Sequence, residues 1–132
     1  MSRMVLLEHT QPDGGMHYDW LLDRIQSDSH LSPPVSPLVS FRMQWRADSV
    51  MPDGSGLLEA ERMKDHRRVY LRYEGPLSGG RGSVRRVAEG EVVSLTEGEG
   101  WIEISCRWSD CGSIHGWRGD LVGGDLWVFE RC

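Results

Sequence analysis

His9, His17 and Asp19 are the residues of this chain whose types and spacing best suit chemistry. His17-Tyr18-Asp19 lies in a stretch that reads as a β-strand, where successive side chains alternate between faces. His17 and Asp19 then point the same way, roughly 7 Å apart along the strand, and Tyr18 points the other way. His9 supplies a second imidazole from a neighbouring segment. Two neutral imidazoles and a carboxylate form an N/N/O set that suits Mn, Fe or Zn and leaves coordination positions open for water or substrate. Solvated polar residues on a strand produce the same spacing, so spacing alone does not separate the two.

A second group lies between residues 62 and 86. Eight of the fifteen basic residues fall there (Arg62, Lys64, Arg67, Arg68, Arg72, Arg81, Arg85 and Arg86), opposed only by Asp65 and Glu74. This is either a solvated strand face or a phosphate-binding patch, and the planar fork of arginine grips phosphate bidentately. His66 sits inside it, in Asp65-His66-Arg67-Arg68-Val69-Tyr70. Its proton can serve catalysis, or its charged form can bind phosphate.

The elements that must position these residues read mostly in period two. Trp101 to Trp108 is the clearest case: Ile102, Ile104, Cys106 and Trp108 share one face, and Glu103, Ser105 and Arg107 the other. Further strands are expected at 4–8, 17–22, 39–45, 57–63, 69–73, 83–87, 91–95, 117–121 and 126–129. Turn signals separate them at Pro12-Asp13-Gly14-Gly15, Pro52-Asp53-Gly54, Ser78-Gly79-Gly80, Glu97-Gly98-Glu99-Gly100 and Gly123-Gly124-Asp125. Residues 57–66 also contain good helix formers. The Ser- and Pro-rich segment 27–37 reads as an irregular loop. About eight to ten short strands with little helix predict an all-β fold, a compact antiparallel barrel or a sandwich.

The 132 residues suit a single domain spanning 1–132. The longest apolar stretch near the start, Met4-Val5-Leu6-Leu7, is too short for a membrane span or a signal peptide, so a soluble, cytoplasmic protein without membrane association is expected. The net charge of −5 argues against non-specific coating of nucleic acid. Three cysteines, Cys106, Cys111 and Cys132, are an odd count that favours reduced thiols. Cys106, Cys111 and His115 suggest zinc, but no fourth ligand lies near them in sequence.

Taken in order, these segments resemble the 3′-phosphoesterase domain of bacterial DNA ligase D and its stand-alone relatives. That family has a histidine ending its first strand, a His-Tyr-Asp-Phe-Arg-Leu strand, an Asp-His-Pro-x-x-Tyr stretch and a Phe-Glu-Gly-x-Ile-Pro segment. A glycine turn into Thr-Val and a closing Leu-x-Gly-x-Trp-x-Leu strand follow. Here the order runs His9, His17-Tyr18-Asp19-Trp20-Leu21-Leu22, Asp65-His66-Arg67-Arg68-Val69-Tyr70, Tyr73-Glu74-Gly75-Pro76-Leu77, Gly82-Ser83-Val84 and 121–129. The resemblance covers nearly the whole chain and rests on order and approximate spacing. It implies a barrel with a polar groove and a manganese-dependent end-healing activity. That activity removes a 3′-terminal ribonucleoside and then the 3′-phosphate from a DNA primer strand. It also implies that His9, His17 and Asp19 hold Mn²⁺, with Zn²⁺ or another divalent metal as the alternative. His66 would contact the scissile phosphate, and Tyr70 would support the phosphate or the shape of the site. The implied partners are nucleic-acid 3′ ends on a primer–template and a separate DNA ligase or polymerase.

The chain departs from that pattern at several positions. Leu21 stands where the family has an arginine, and Leu58 near another. Leu7-Glu8 replaces a Gln-Lys pair, residues 41–45 only echo a Trp-Ala-Val-Pro-Lys stretch, the gap from His9 to His17 is longer, and the glycine turn is shorter. Each lost bidentate contact is worth about 2–3 kcal/mol. Either Arg42, Arg62, Arg68 or Arg81 reaches the phosphate from another strand, or the domain is a weak or inactive homologue that binds nucleic-acid ends or a ligase. A small-molecule or metal-storage barrel is a third class, opposed only by the basic segment.

Overall fold

The computed structural model describes residues 2–24, 37–49 and 56–132. Nine antiparallel strands form one sheet: β1 (Ser2–Thr10), β2 (Met16–Leu22), β3 (Leu38–Met43), β4 (Leu57–His66), β5 (Gly75–Pro76), β6 (Ser83–Gly98), β7 (Trp101–Trp108), β8 (Ile114–Gly123) and β9 (Leu126–Arg131). Their order is β1-β2-β3-β4-β9-β8-β7-β6-β5, and β1 also pairs with β6, so the sheet closes into a barrel-like ring. Closure pairs β1 on both sides and leaves only the two-residue β5 as an edge strand, limiting the open edges that promote aggregation.

The inner face follows the period-two pattern. Met4, Leu6, Trp20, Leu22, Phe41, Ile102, Ile104, Cys106, Trp108, Trp117 and Phe129 are all buried in one cluster. Aromatic rings dominate it: Trp20 stacks on Trp108 at 6.0 Å, and Phe41 meets Phe129 edge-on at 4.8 Å. Both are favoured ring geometries.

The outer face of β1, β2 and β3 is also covered, which explains the unbroken apolar run at Met4-Val5-Leu6-Leu7. Val5, Leu7, Leu21, Leu38, Leu71 and Val84 form a second, smaller core, flanked by Tyr70, Tyr73 and Leu77. A strand buried on both faces shows no alternation. The covering segment runs from residue 67 to residue 82 and is anchored by Leu71.

Within that segment the structure corrects the expected strand at 69–73. Arg68–Leu71 is a 3₁₀ turn, closed by the Tyr70 amide donating to the Arg67 carbonyl and the Arg72 amide to that of Val69. The alternation of apolar residues there reflects one anchor, Leu71, while Val69 stays exposed. The strands expected at 83–87 and 91–95 are one continuous strand, β6, with an irregularity between Val92 and Ser94. Gly90 lies within the strand, where the Arg107 backbone crowds its α-carbon. Residues 57–66 are strand despite their helix formers, because both neighbouring strands offer ladder partners. The expected Pro52-Asp53-Gly54 turn and residues 27–36 of the expected loop lie outside the described residues. Among the described residues, no helix is long and apolar enough to cross a membrane.

Candidate metal centre

Ladder register brings the two histidines together. In the β1–β2 pair His9 lies directly opposite His17, and Leu7 opposite Asp19. Odd-numbered residues of both strands share the outer face with Val5, Leu7 and Leu21. The cluster therefore sits outside the barrel, where the second core ends, not in its lumen. Tyr18 takes the opposite face and packs against the inner core.

The three ligand atoms all lie within 4.8 Å of one another. His9 Nδ1 is 3.0 Å from His17 Nε2, His17 Nε2 is 3.4 Å from one Asp19 oxygen, and His9 Nδ1 is 3.6 Å from the other. Metal bonds of about 2.0–2.2 Å at angles between octahedral and tetrahedral place neighbouring ligand atoms roughly 3–3.5 Å apart. The 3.0 and 3.4 Å separations fall in that range, and the 3.6 Å separation, to the second carboxylate oxygen, lies just beyond it.

Hydrogen bonding fixes the tautomer of His9. Its Nε2 lies 2.8 Å from the backbone carbonyl oxygen of Arg81. A carbonyl only accepts, so Nε2 carries the proton and Nδ1 presents a lone pair to the cluster. Either a proton on His17 Nε2 or a shared cation must then sit between the two facing nitrogens. Asp19 is 6 % exposed and His17 3 %. Among the described residues the two imidazoles are the only partners of the Asp19 carboxylate. A buried carboxylate without a cation is costly, so the donor set, burial and spacing fit a divalent metal.

Gly82 holds the outer-shell contact in place. Its φ is +92°, and a β-carbon there would lie 1.9 Å from the Thr10 carbonyl oxygen. Only glycine lets the chain cross β1 so closely and aim the Arg81 carbonyl at His9. Neither the carbonyl contact nor this crossing is readable from the sequence; the one signal was Gly82 itself.

The four arginines expected to reach phosphate are placed differently from one another. Arg42 lies on β3 directly opposite Asp19. Its Nε is buried without a hydrogen-bond partner, and its one ion pair among the described residues, to Glu61, is long at 3.9 Å. Arg68 forms a two-bond pair with Asp23 at 2.6 and 2.7 Å. The Asp23 hydrogen bond holds the guanidinium above its ordinary pKa. Arg81 donates from Nε to the Ser78 carbonyl and from its terminal nitrogen to the Ser78 hydroxyl, stapling its own turn. Arg62 stacks 5.1 Å from the inner-core ring of Phe41, away from the cluster.

His66 and Tyr70 form a separate group. The rings meet edge-on at 5.7 Å, and His66 Nδ1 donates to the Lys64 carbonyl. His66 pairs with Leu38, four residues along β3 from Arg42. That is roughly 13 Å along the strand. The structure does not bring His66 against the His9–His17–Asp19 cluster.

Three-dimensional pairing also changes the basic segment. Arg62 meets Asp65, Arg85 meets Glu8, and Arg86 lies between Glu74 and Glu89. Among the described residues, Lys64, Arg67, Arg72 and Arg81 have no carboxylate partner and all four are exposed; Lys64 and Arg67 lie within two residues of His66 in sequence. The unpaired positive charge of the segment contracts to those four side chains, with Arg42 outside the segment.

Cys106, Cys111 and His115 do not converge as metal ligands: His9, His17 and Asp19 form the only such cluster among the described residues. Burial pushes the Cys106 thiol up to about 12. No protein-family model matches the chain, and no curated protein matches it.

Proposed function

We propose that this chain is a metal-dependent phosphoesterase acting on the 3′ ends of nucleic acid, with Mn²⁺ at His9, His17 and Asp19. The observation that carries the proposal is the convergence of two imidazole nitrogens and a carboxylate on one buried outer-face site, with Arg42 opposite Asp19. The resemblance to the DNA ligase D 3′-phosphoesterase domain supplies the substrate class: a 3′-ribonucleoside or 3′-phosphate on a primer–template.

His9, His17 and Asp19 would hold a divalent ion there, which would supply Lewis-acid polarisation of a phosphoryl oxygen and activation of water. The chain's own residues do the rest. Asp19 and the two imidazoles fix the site on a rigid hairpin. Arg42 sits beside Asp19 to offset charge on a bound phosphate, standing in for the arginine replaced by Leu21. His66 lies roughly 13 Å from Arg42 along the strand, and in this reading it contacts, with Lys64, Arg67 and Tyr70, a neighbouring phosphate of the nucleic-acid strand and not the phosphate at the metal. The product, a clean 3′ hydroxyl, is the end that a separate DNA ligase or polymerase uses.

A second reading, a weak or inactive homologue that holds ends for a ligase, is favoured by one observation: three of the four candidate arginines are engaged elsewhere. A turnover assay separates the two. Purified protein is incubated with primer–templates ending in a 3′-ribonucleotide or a 3′-phosphate, with and without Mn²⁺, beside His9→Ala. Mn²⁺-dependent shortening or dephosphorylation, lost in the variant, is expected. Binding of the same ends without turnover in any divalent metal would leave only the second reading.

A further inference from the structure

A second cluster of reactive groups lies on other strands, where β7, β8 and β9 meet. Cys111 is exposed in the turn between β7 and β8, held by its amide donating to the Trp108 carbonyl. Its sulfur lies 3.6 Å from His115 Nε2. The other ring nitrogen of His115, Nδ1, faces the Arg131 guanidinium. Arg131 is itself placed by Trp117, whose ring lies 5.2 Å from it.

Elementary hydrogen-bond chemistry sets the roles. A guanidinium has only donors, so His115 Nδ1 must accept. In the neutral imidazole the proton is then on Nε2, aimed at sulfur. His115 therefore has a hydrogen bond to give to a thiolate and none to accept from a thiol; a thiol instead reaches the Ser113 carbonyl, at 3.8 Å. Burial and Arg131 both lower the His115 pKa, which keeps the ring neutral. The tautomer also disfavours metal: Nε2 must lose its proton to ligate, while the guanidinium blocks protonation of Nδ1.

We propose that Cys111 is an oxidation-sensitive nucleophile, activated by His115 with Arg131 as the residue that sets its tautomer, and that its substrates are small hydroperoxides. The thiolate sulfur attacks the terminal peroxide oxygen, the O–O bond breaks, and the alkoxide or hydroxide leaves and takes a proton from water. Sulfur is oxidised by two electrons to the sulfenic acid, and the peroxide is reduced to the alcohol or to water. The chain carries its own references. Cys132 is exposed and, among the described residues, has no imidazole partner, its sulfur meeting the Glu130 carbonyl at 4.0 Å. Cys106 is buried in the inner core.

The test exposes the whole protein, with EDTA present, to limiting hydrogen peroxide, traps sulfenic acid with a dimedone-type probe and quantifies each cysteine by peptide mass spectrometry. Cys111 is expected to label about tenfold faster than Cys132, with Cys106 unlabelled. His115→Ala should bring Cys111 down to the Cys132 rate, and Arg131→Leu should lower it part of the way. Equal labelling of Cys111 and Cys132 in the unmodified protein overturns the proposal whatever the variants do. So does a Cys111 rate that His115→Ala leaves unchanged in a variant whose circular dichroism matches the parent.

Discussion

His9 and His17 face each other across the β1–β2 ladder with ring nitrogens 3.0 Å apart, and the opposite nitrogen of His9 is tied to the Arg81 carbonyl. That relationship joins three levels. Strand register brings the rings together. A glycine crossing brings the carbonyl that orients one of them. The oriented lone pair then makes the pair a ligand set and not two unrelated surface histidines.

The crossing is therefore testable without any substrate. Gly82→Ala places a β-carbon against the Thr10 carbonyl at a positive φ. It should cost more than about 1 kcal/mol of stability in thermal or urea unfolding. It should also weaken metal binding about 10- to 100-fold, as outer-shell changes do. Unchanged metal affinity in a folded Gly82→Ala protein would remove Arg81 from the site.

Arg42 and Arg68 should separate function from stability. Arg42→Ala removes a cation whose only ion pair among the described residues is long, so unfolding should shift by less than about 0.5 kcal/mol. Turnover of a 3′-phosphate end should fall about 30- to 150-fold. Arg68→Ala leaves the buried Asp23 carboxylate without its two-bond partner and should cost about 1–3 kcal/mol in stability. Parallel unfolding and kinetic measurements on both variants check the contrast.

Leu21 shows why the family arginine cannot simply be put back. It is fully buried among Val5, Leu7 and Leu38. Leu21→Arg places an unpaired charge in that core and should destabilise by at least about 3 kcal/mol, with no gain in turnover. Urea unfolding of the variant beside the parent measures it.

Cys106 gives a pH dependence with a definite sign. Burial raises its thiol from an ordinary 9.0 to about 12. The unfolded chain therefore loses this proton first. The thiol's contribution is fully present below pH 9.0 and is lost as pH rises toward 12. Stability measured from pH 8 to 11 should fall less steeply in Cys106→Ala than in the parent, whatever the offset from the lost side chain.

Much of this architecture can be read from side-chain alternation. Ile102, Ile104, Cys106 and Trp108 report an inner face because burial on one side of a strand imposes period two. The same rule places His17 and Asp19 on one face. It fails at Val69-Tyr70-Leu71, where a single anchor residue mimics alternation inside a 3₁₀ turn. It is silent at Leu21, where both faces are covered. Pairing across the barrel is beyond any local pattern: the partner of Arg68 is Asp23, just past the end of β2, and that of Arg85 is Glu8, from β1. Half of the run of positive charge between residues 62 and 86, namely Arg62, Arg68, Arg85 and Arg86, is thus paired with carboxylates in space. The Arg81 carbonyl contact has no side-chain signal at all.

The central claim is the metal site, and metal binding measures it most directly. Titration of the purified, EDTA-treated protein with Mn²⁺, followed by calorimetry and by loss of the free-ion paramagnetic resonance signal, should show one ion per chain. Saturating metal at about 100 times Kd should add about 2.7 kcal/mol of stability. His9→Ala and Asp19→Asn should each abolish both effects. Binding that survives either substitution, or no binding of Mn²⁺, Zn²⁺ or Fe²⁺ by the folded protein, would contradict a metal centre at His9, His17 and Asp19.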